Sequence, residues 1–238
     1  MNGLPMGQKH EQRRLEADQQ LDRLLQTKEG RSQYWAELLD ACKECSMISL
    51  LESTLHLPGD VIECGVYRGG TLTRICRTIS RLAADKQVLA CDSFEGFPDY
   101  KVGRIDVGYF RFLSRIRKKF GVCDDVPARL ERFFNYYGIR GRIEKGYFSE
   151  TLHKFSQHRF CFIHLDVDIY DSYIECLSKL YSQLVPGVVV VFDDYGSPKW
   201  PGAKKAVDEF FADREESPCK SAEKKIPAWF VRKPLEKA

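Results

Sequence analysis

Residues 186–194 have the sequence PGVVVVFDD, and this stretch decides the fold class of the chain. Four consecutive valines are β-branched and apolar, which is typical of a strand buried on both faces of a sheet. Pro186 and Gly187 are expected to form the turn that leads into this strand. Residues 159–167, RFCFIHLDV, form a second apolar run of strand length that also contains an aspartate near its end. Two such strands predict a parallel sheet that is covered by helices.

The segments around these two strands alternate between strand-like and helix-like patterns. Residues 60–64 (DVIEC) and 87–91 (QVLAC) are predicted strands, and the segments 69–82 and 170–184 have helical spacing of apolar residues. The other predicted elements are helices at 108–120, 127–137, 149–155 and 203–212 and strands at 142–145 and 228–232. We therefore predict a Rossmann-like α/β fold with a mostly parallel central sheet, helices on both faces, and ligands at the carboxyl ends of the strands.

The first 33 residues differ in composition from the rest of the chain. They are rich in Gln, Arg and Glu, so we predict a polar N-terminal arm that is disordered or ordered by a partner, followed by a single domain at 34–238. Apolar residues between Tyr34 and Leu51 recur at helical spacing, which predicts an N-terminal helical extension of this domain. The arm is a candidate contact surface for a homo-oligomer.

Composition argues against several classes of function. The longest apolar stretch is far shorter than the roughly 20 residues of a membrane helix, and the N-terminus lacks the apolar block of a signal peptide. We therefore expect a cytoplasmic protein without a membrane partner. The nine cysteines include no CxxC pair, which favours reduced thiols. The 37 basic and 34 acidic residues nearly balance, and no aromatic-rich motif frames the basic clusters, so nucleic acid is not an expected partner.

Glycines and a carboxylate follow the first two predicted strands. Gly65, Gly69 and Gly70 permit a tight turn and a close approach of the backbone to a ligand, although a plain strand-to-helix connection would use the same glycines. Asp92 ends the next strand, where a carboxylate can accept hydrogen bonds from both ribose hydroxyls of an adenosine. No basic residue stands beside Asp92 to bind a 2′-phosphate, and no GxxxxGK[ST] loop is present. An adenosine-containing ligand without phosphates fits this pattern better than NADP or ATP.

Four aspartates follow the two most apolar strands: Asp166, Asp168, Asp193 and Asp194. If the strands are neighbours, carboxylates about 4 Å apart repel each other by roughly 4 kcal/mol at an effective dielectric near 20. A hard divalent cation with oxygen ligands, such as Mg²⁺, relieves this repulsion. The structural alternative is that the last two aspartates pair with the lysines that follow them.

Six motifs between Asp60 and Phe211 together resemble the macrocin O-methyltransferase family (TylF type). In chain order they are ECGVYRGGTL, CDSFEGFPD, GYFSETL, FIHLDVDIYDSY, LVPGVVVVFDDYG and GAKKAVDEFF. The resemblance implies a class I methyltransferase fold, S-adenosylmethionine as the methyl donor and a requirement for Mg²⁺. It also implies an enzyme that methylates a hydroxyl of a small molecule, typically on a sugar of a glycosylated natural product.

The resemblance also implies roles for individual residues. Asp166, Asp193 and Asp194 correspond to the metal ligands, and Asp168 corresponds to the general base. The positions that correspond to the donor site are Glu63, Gly65, Val66, Tyr67, Arg68, Gly69 and Thr71 around the methionine end, Asp92, Ser93 and Phe94 at the ribose, Gly146 and Phe148 beside the adenine, and Asp166.

Several alternatives stay open at this point. His164 lies two residues before Asp166, on the same side of an extended strand, so it is either an alternative base or a hydrogen-bonded interior histidine. Tyr170, Tyr195 and Trp200 are candidates either for an apolar wall beside the acceptor or for packing in the core.

The acceptor itself is not identified by any motif. Methylation of a non-sugar hydroxyl is one alternative function, and a non-catalytic regulatory protein that binds S-adenosylmethionine is another. Four convergent carboxylates argue against the second alternative, because a protein that only binds the donor has no need of them. The long basic segment 100–147 departs from the family pattern and is a candidate for the acceptor pocket or an oligomer interface.

Overall fold

The structure is a computed structural model that describes residues 46–97, 105–106, 126–221 and 227–235. The predicted N-terminal arm, the helix predicted from Tyr34 up to residue 45 and the helix predicted at 108–120 lie outside these residues. The described helices are α1 (Ser46–Glu52), α2 (Gly70–Arg81), α3 (Val126–Tyr137), α4 (Phe148–Thr151), α5 (Tyr170–Leu180) and α6 (Pro201–Phe211). The described strands are β1 (Asp60–Cys64), β2 (Gln87–Asp92), β3 (Arg140–Lys145), β4 (Phe160–Leu165), β5 (Leu184–Phe192), β6 (Cys219–Lys220) and β7 (Trp229–Arg232).

The strands form one seven-stranded sheet in the order β3-β2-β1-β4-β5-β7-β6. Strands β1 to β5 are parallel to one another, whereas β7 is antiparallel to β5 and β6 is antiparallel to β7. The chain runs outward from β1 to β3 and then returns to β4 on the other side of β1. Right-handed crossovers in this order place helices on both faces of the sheet, and the reversal opens a crevice at the carboxyl ends of β1 and β4. The predicted α/β fold is confirmed.

The core of the sheet is as apolar as the sequence predicts. All six residues of β4 are buried, and the four consecutive valines of β5, residues 188–191, are 0–1% exposed. The helix α2 covers one face with an apolar stripe that includes Leu72, Ile75 and Ile79. None of the six described cysteines forms a disulfide, and five of them are buried. No helix in the described part of the chain has the length and apolarity to cross a bilayer.

Strand β5 begins earlier than the sequence predicts. Pro186 and Gly187 lie inside it, so the prediction that they form a turn before the strand is wrong. The pairing of β5 with β4 shifts there, because Phe160 pairs with Leu184 whereas Phe162 pairs with Val189. A bulge of this kind tolerates proline, which has no N–H to donate to the ladder. The helix predicted for 170–184 is also shorter, because α5 ends at Leu180 and a turn of 3₁₀-helix precedes β5.

Candidate active site

The carboxyl ends of four parallel strands lie side by side at one edge of the sheet. The residue after each strand continues the backbone ladder: Gly65 N donates to Cys91 O, Asp166 N donates to Cys64 O and Asp193 N donates to Leu165 O, each at 2.9 Å. Because the ladder extends one residue past the strands, the first polar residue after each strand is held in register with its neighbours. This geometry brings the predicted site residues of β1, β2, β4 and β5 into one region.

Three aspartates form a compact acidic cluster in this region. Asp166, Asp168 and Asp194 each offer a carboxylate oxygen, and these oxygens lie within 4.8 Å of one another. The backbone N–H of Asp168 donates to the carboxylate of Asp194 at 2.9 Å, which ties the turn after β4 to the turn after β5. Asp168 has a φ of 62°, a left-handed conformation that is uncommon for residues other than glycine. Strained backbone of this kind is concentrated at functional sites.

The carboxylates of this cluster affect each other's ionisation. Burial, together with the negative charges of Asp193 and Asp194, raises the pKa of Asp166 to about 8. Burial and the charge of Asp193 raise the pKa of Asp194 to about 6. Both shifts record negative charge that the protein does not neutralise by itself. Carboxylate oxygens are the ligands that Mg²⁺ prefers, so this donor set fits a hard divalent cation.

Asp193 is placed differently from the other aspartates. Its side chain is 59% exposed, and one carboxylate oxygen lies 3.8 Å from Nε2 of His164. This interaction with the His164 imidazole lowers the pKa of Asp193. Asp193 is still close enough to Asp166 for its charge to raise that pKa. The predicted ligand set and the compact cluster therefore share Asp166 and Asp194, but the cluster has Asp168 in the third position.

His164 is an interior residue. Its Nδ1 lies 3.0 Å from Oε1 of Glu63, and both side chains are 1% exposed. Burial acts to lower the pKa of His164, but the carboxylates of Asp193 and Glu63 outweigh it and raise the pKa to about 10. The structure thus favours an interior hydrogen-bonded histidine over an alternative base, and it places Glu63 against this imidazole.

The glycine turn after β1 is fixed by close packing. Gly65 has a φ of 84°, and a Cβ at this position would lie 1.8 Å from the carbonyl oxygen of Asp166. Gly69 has a φ of 82°, and its Cβ would lie 2.6 Å from a methyl carbon of Leu130 on α3. Both positions therefore favour glycine for conformation, and Gly65 also requires it for space because its neighbour is backbone, whereas a Cβ on Gly70 would have no neighbour within 4 Å.

Asp92 joins the turns that follow β1 and β2. Its Oδ2 accepts hydrogen bonds from the backbone N–H groups of Val66 and Tyr67, both at 2.7 Å, and its Oδ1 accepts one from Phe94 at 2.7 Å. Sequence reasoning assigned this carboxylate to a ribose and did not anticipate that it also holds the backbone. Oδ2 already accepts two hydrogen bonds and Oδ1 accepts one, so a lone pair on Oδ1 remains for a ligand hydroxyl. Ser93 closes the second turn by donating to the carbonyl of Gly96 at 2.7 Å.

The remaining predicted donor-site residues border this region. The N–H of Gly146 donates to the carbonyl of Asp92 at 3.0 Å, which places the start of the GYFSETL motif beside β2. Phe148, the first residue of α4, is partly buried against the core. The carbonyl of Arg68 accepts a hydrogen bond from Arg129 of α3 at 3.0 Å, so α3 supports the glycine turn.

Two buried polar residues near the ends of β4 and β5 were missed in the sequence. The hydroxyl of Tyr173 on α5 lies 3.1 Å from the carbonyl oxygen of Leu165 and 3.2 Å from the carboxylate of Asp194. Tyr173 is the last residue of the FIHLDVDIYDSY motif, so its position was available as a signal. The other residue is Asp106, which is 1% exposed and bonds to backbone N–H groups. It stands alone in a basic segment, and no pattern marks it.

The three candidate aromatic wall residues have different environments. Trp200 is 4% exposed and contacts Phe97, and Tyr195 is 9% exposed and contacts Trp229. Both therefore pack in the core. Tyr170 is half-buried, and its hydroxyl donates to Glu209 at 2.6 Å.

A parallel sheet of this strand order with an antiparallel β7, a glycine turn after β1 and a carboxylate at the end of β2 defines the class I methyltransferase fold. The chain belongs to the macrocin-O-methyltransferase (TylF) family, because the sequence pattern of that family matches residues 32–229. The resemblance of the six motifs to this family is thereby confirmed.

Several proteins with assigned functions are similar to this chain. A tetracenomycin-C 4′-O-methyltransferase acting on 8-demethyl-8-(2,3-dimethoxy-alpha-L-rhamnosyl)-tetracenomycin-C, from Streptomyces olivaceus, is 34% identical over 144 residues, which are 58% of this chain and 54% of that protein. Mycinamicin III 3″-O-methyltransferase from Micromonospora griseorubida is 30% identical over 170 residues, which are 67% of this chain and 64% of that protein. The matched part of this chain spans less than two thirds of the length of either relative.

Solved structures share the fold. The O-methyltransferase NovP superposes with a TM-score of 0.64 and 26% identity, covering 79% of this chain and 78% of that one. The calicheamicin methyltransferase CalS11 superposes with a TM-score of 0.67 and 21% identity, covering 91% and 92%. At this level of identity the second likeness concerns the fold alone.

Proposed function

We propose that this protein transfers a methyl group from S-adenosylmethionine to a hydroxyl of a small molecule, and that the hydroxyl belongs to a sugar of a glycosylated natural product. The observation that carries the proposal is the acidic cluster of Asp166, Asp168 and Asp194 beside the glycine turn of a class I methyltransferase fold. Family membership supports it, and so does the name of the Streptomyces olivaceus relative, which specifies a rhamnosyl compound.

The donor site is assigned to the turns after β1 and β2. Gly65 and Gly69 allow the left-handed backbone of the turn, and Asp92 holds the N–H groups of Val66 and Tyr67 while Oδ1 keeps one lone pair for a hydroxyl of the donor. Phe148 is positioned beside β2, where a ring can cover one face of an adenine. These residues would hold the donor beside the ends of β4 and β5, where it would supply the methyl group.

The cation site is assigned to the ends of β4 and β5. Asp166 and Asp194 are ligands in both the predicted set and the compact cluster. We assign Asp193 as the third ligand because it follows β5 directly beside Asp194 and corresponds to a ligand in the family to which the chain belongs. Mg²⁺ held there supplies Lewis acidity, which lowers the pKa of an acceptor hydroxyl.

Asp168 is assigned as the general base. Its carboxylate borders the same small volume as Asp166 and Asp194, so a hydroxyl directed at the cluster has this carboxylate within reach. The hydrogen bond from its own N–H to Asp194 and its left-handed backbone hold Asp168 at that edge. Positioning of the acceptor and the donor in line supplies the rest of the acceleration.

Calorimetry with S-adenosylhomocysteine tests the donor site. Binding to the wild-type protein is expected, and Asp92→Asn is expected to weaken it by about tenfold or more, because an amide nitrogen would face the N–H groups of Val66 and Tyr67. Asp85→Asn is a matched control, since Asp85 is exposed and pairs with Arg140 away from the site. Absence of binding to the wild type would remove the basis of the whole proposal.

A screen with methyl-labelled donor tests the acceptor. Candidate glycosides and their aglycones are compared at equal concentration, with and without Mg²⁺. Transfer of the labelled methyl group to the glycoside alone, and only with Mg²⁺ present, is the expected result. Transfer to the aglycone would show that the acceptor is a non-sugar hydroxyl and not a sugar hydroxyl. Binding of the donor without any methyl transfer would favour the regulatory alternative. The roles of the arm at 1–33 in a homo-oligomer and the cytoplasmic location stay predictions from the sequence.

A further inference from the structure

A single buried carboxylate joins the helices that follow β4 and β5. Oδ2 of Asp106 accepts a hydrogen bond from the N–H of Tyr170 at 2.8 Å, and Oδ1 accepts one from the N–H of Gly202 at 2.9 Å. Tyr170 is the first residue of α5, and Gly202 is the second residue of α6. Asp106 itself is only 1% exposed.

Both helices depend on this carboxylate at their first turns. The N-cap residues, Ile169 for α5 and Trp200 for α6, offer no side-chain acceptor to the free N–H groups. The first N–H groups of a helix have no partner within the helix, and their partial positive charge favours an anion. Asp106 therefore supplies an acceptor to two helix ends at once and fixes the distance between them.

The contact leaves no spare room. A Cβ added to Gly202 would lie 2.1 Å from Oδ2 of Asp106, so the backbone of α6 approaches the carboxylate as closely as a glycine allows. A small change at either Asp106 or Gly202 must separate the two groups.

The helix ends are connected to the acidic cluster through the chain. Tyr170 follows Asp168 by two residues, and the N–H of Asp168 donates to Asp194, which precedes the first residue of α6 by seven residues. Moving the start of α5 relative to α6 therefore also stretches the hydrogen bond between Asp168 and Asp194.

We propose that Asp106 is a positioning residue for the acidic cluster: by joining the first turns of α5 and α6 it sets the spacing of Asp168 and Asp194. It does not touch the cluster and acts through Tyr170 and Gly202. The consequence for Mg²⁺ rests on the proposed function, whereas the consequence for the hydrogen bond between Asp168 and Asp194 does not.

Amide hydrogen exchange of the full-length, metal-free protein tests the proposal. In Asp106→Asn the N–H of Asp168 should exchange about tenfold faster than in the wild type, because an amide cannot accept from both helix ends and the coupled bond loosens. In the same variant the Kd for Mg²⁺ should rise by about tenfold. The affinity for S-adenosylhomocysteine should stay within about twofold, because the turns that bind it lie after other strands.

Asp60→Asn is the matched control. Oδ1 of Asp60 accepts from the backbone N–H of Gln87 at 3.0 Å, so this change removes a similar bond at the opposite end of the sheet. It should leave the exchange of Asp168 and the affinity for Mg²⁺ unchanged. Gly202→Ala disturbs the same contact from the α6 side, because the added Cβ would lie 2.1 Å from Oδ2 of Asp106. It should reproduce the effects of Asp106→Asn, so the test stays decisive if Asp106→Asn fails to fold.

The outcomes separate the two claims. If only the N–H groups of Tyr170 and Gly202 exchange faster while Asp168 keeps its protection, Asp106 merely caps the helices and the proposal is overturned. If the wild type binds no Mg²⁺, the proposed cation is wrong, and the exchange of Asp168 still decides the role of Asp106.

Discussion

Nδ1 of His164 lies 3.0 Å from Oε1 of Glu63, and this contact joins β4 to β1 beneath the acidic cluster. The two residues are register partners in the parallel pairing of these strands. Both side chains are 1% exposed, so the imidazole takes the place of water as the partner of Oε1 of Glu63. Burial raises the pKa of Glu63, and His164 opposes that shift. The pair is therefore a structural element on which the positions of β1 and β4 depend.

Removal of the imidazole should destabilise the fold. In His164→Ala the carboxylate of Glu63 stays buried without its partner, and the free energy of unfolding should fall by about 3 kcal/mol. Urea unfolding of the metal-free protein at neutral pH measures this change. The double variant Glu63→Gln/His164→Ala is the control, and it should be more stable than the single variant because no buried charge remains. A single variant as stable as the wild type would show that the contact is not needed.

The roles of Asp168 and Asp193 can be separated by their effects on turnover and on metal affinity. Asp168→Asn should lower the turnover number by about 10²-fold or more while Mg²⁺ still binds. Asp193→Asn should weaken the binding of Mg²⁺, and excess Mg²⁺ should restore part of the turnover. Calorimetry with Mg²⁺ and a labelled methyl-transfer assay supply both numbers. If Asp168→Asn lowers the affinity for Mg²⁺ and Asp193→Asn does not, Asp168 is the ligand and Asp193 is not. The compact cluster, which contains Asp168, is compatible with that result.

Tyr173 should matter for the cation although it is fully buried. Its hydroxyl lies within hydrogen-bonding distance of Asp194 and of the carbonyl of Leu165, so Tyr173→Phe removes one hydrogen bond from the Asp194 carboxylate and leaves the one from the N–H of Asp168. The Kd for Mg²⁺ should rise by about tenfold. Tyr181→Phe is the control, because the hydroxyl of Tyr181 donates to Glu216 away from the cluster. Equal effects of the two variants on the Kd would mean that the Tyr173 hydroxyl supports stability only.

The sequence predicted the features that depend on the pattern of apolar and polar residues, namely the buried strands and the aspartates at their ends. The apolar runs at 159–167 and 186–194 specify buried parallel strands, and parallel strands bring their carboxyl ends to one edge. The convergence of aspartates there was therefore predictable from which residues follow each strand. Strand bounds were predicted within a few residues wherever apolar runs end at polar residues, as at Cys64 and Asp92.

What the sequence did not predict depends on side-chain geometry. Nothing in the pattern of β5 indicated that Pro186 lies within the strand, because the bulge that accommodates it is a property of the pairing with β4. The same is true of Asp106, which is separated from its partner Gly202 by 96 residues. The engagement of Asp92 with three backbone N–H groups could not be read from a motif that only marks a carboxylate at a strand end.

Glu144 on the edge strand β3 should give a pH-dependent contribution to stability. Burial acts to raise its pKa, but hydrogen bonds and charges from Lys154 and Arg142 outweigh it and lower the pKa. A lowered pKa means that the stabilisation is present above the unfolded pKa of about 4.3 and is lost as the pH falls through the folded value. Glu144→Gln should therefore cost about 1 kcal/mol at pH 7 and progressively less below about pH 4.

Chemical denaturation at several pH values measures the contribution of Glu144. Glu131→Gln, at an exposed position on α3, is the control and should show no such pH-dependent difference from the wild type. A cost for Glu144→Gln that is constant between pH 7 and pH 3 would mean that the ion pairs do not stabilise the fold.

Gly65 and Gly70 lie in the same turn and should respond oppositely to alanine. At Gly65 the positive φ disfavours any Cβ, and the carbonyl of Asp166 would lie 1.8 Å from it, so β1 and β4 must separate. Gly65→Ala should lower the free energy of unfolding by about 3 kcal/mol or more and reduce the affinity for S-adenosylhomocysteine. Gly70 begins α2 in open space, so Gly70→Ala should leave stability unchanged or raise it by up to about 1 kcal/mol. Thermal unfolding compares the two variants, and equal losses would show that the turn fails for a reason other than the contact with Asp166.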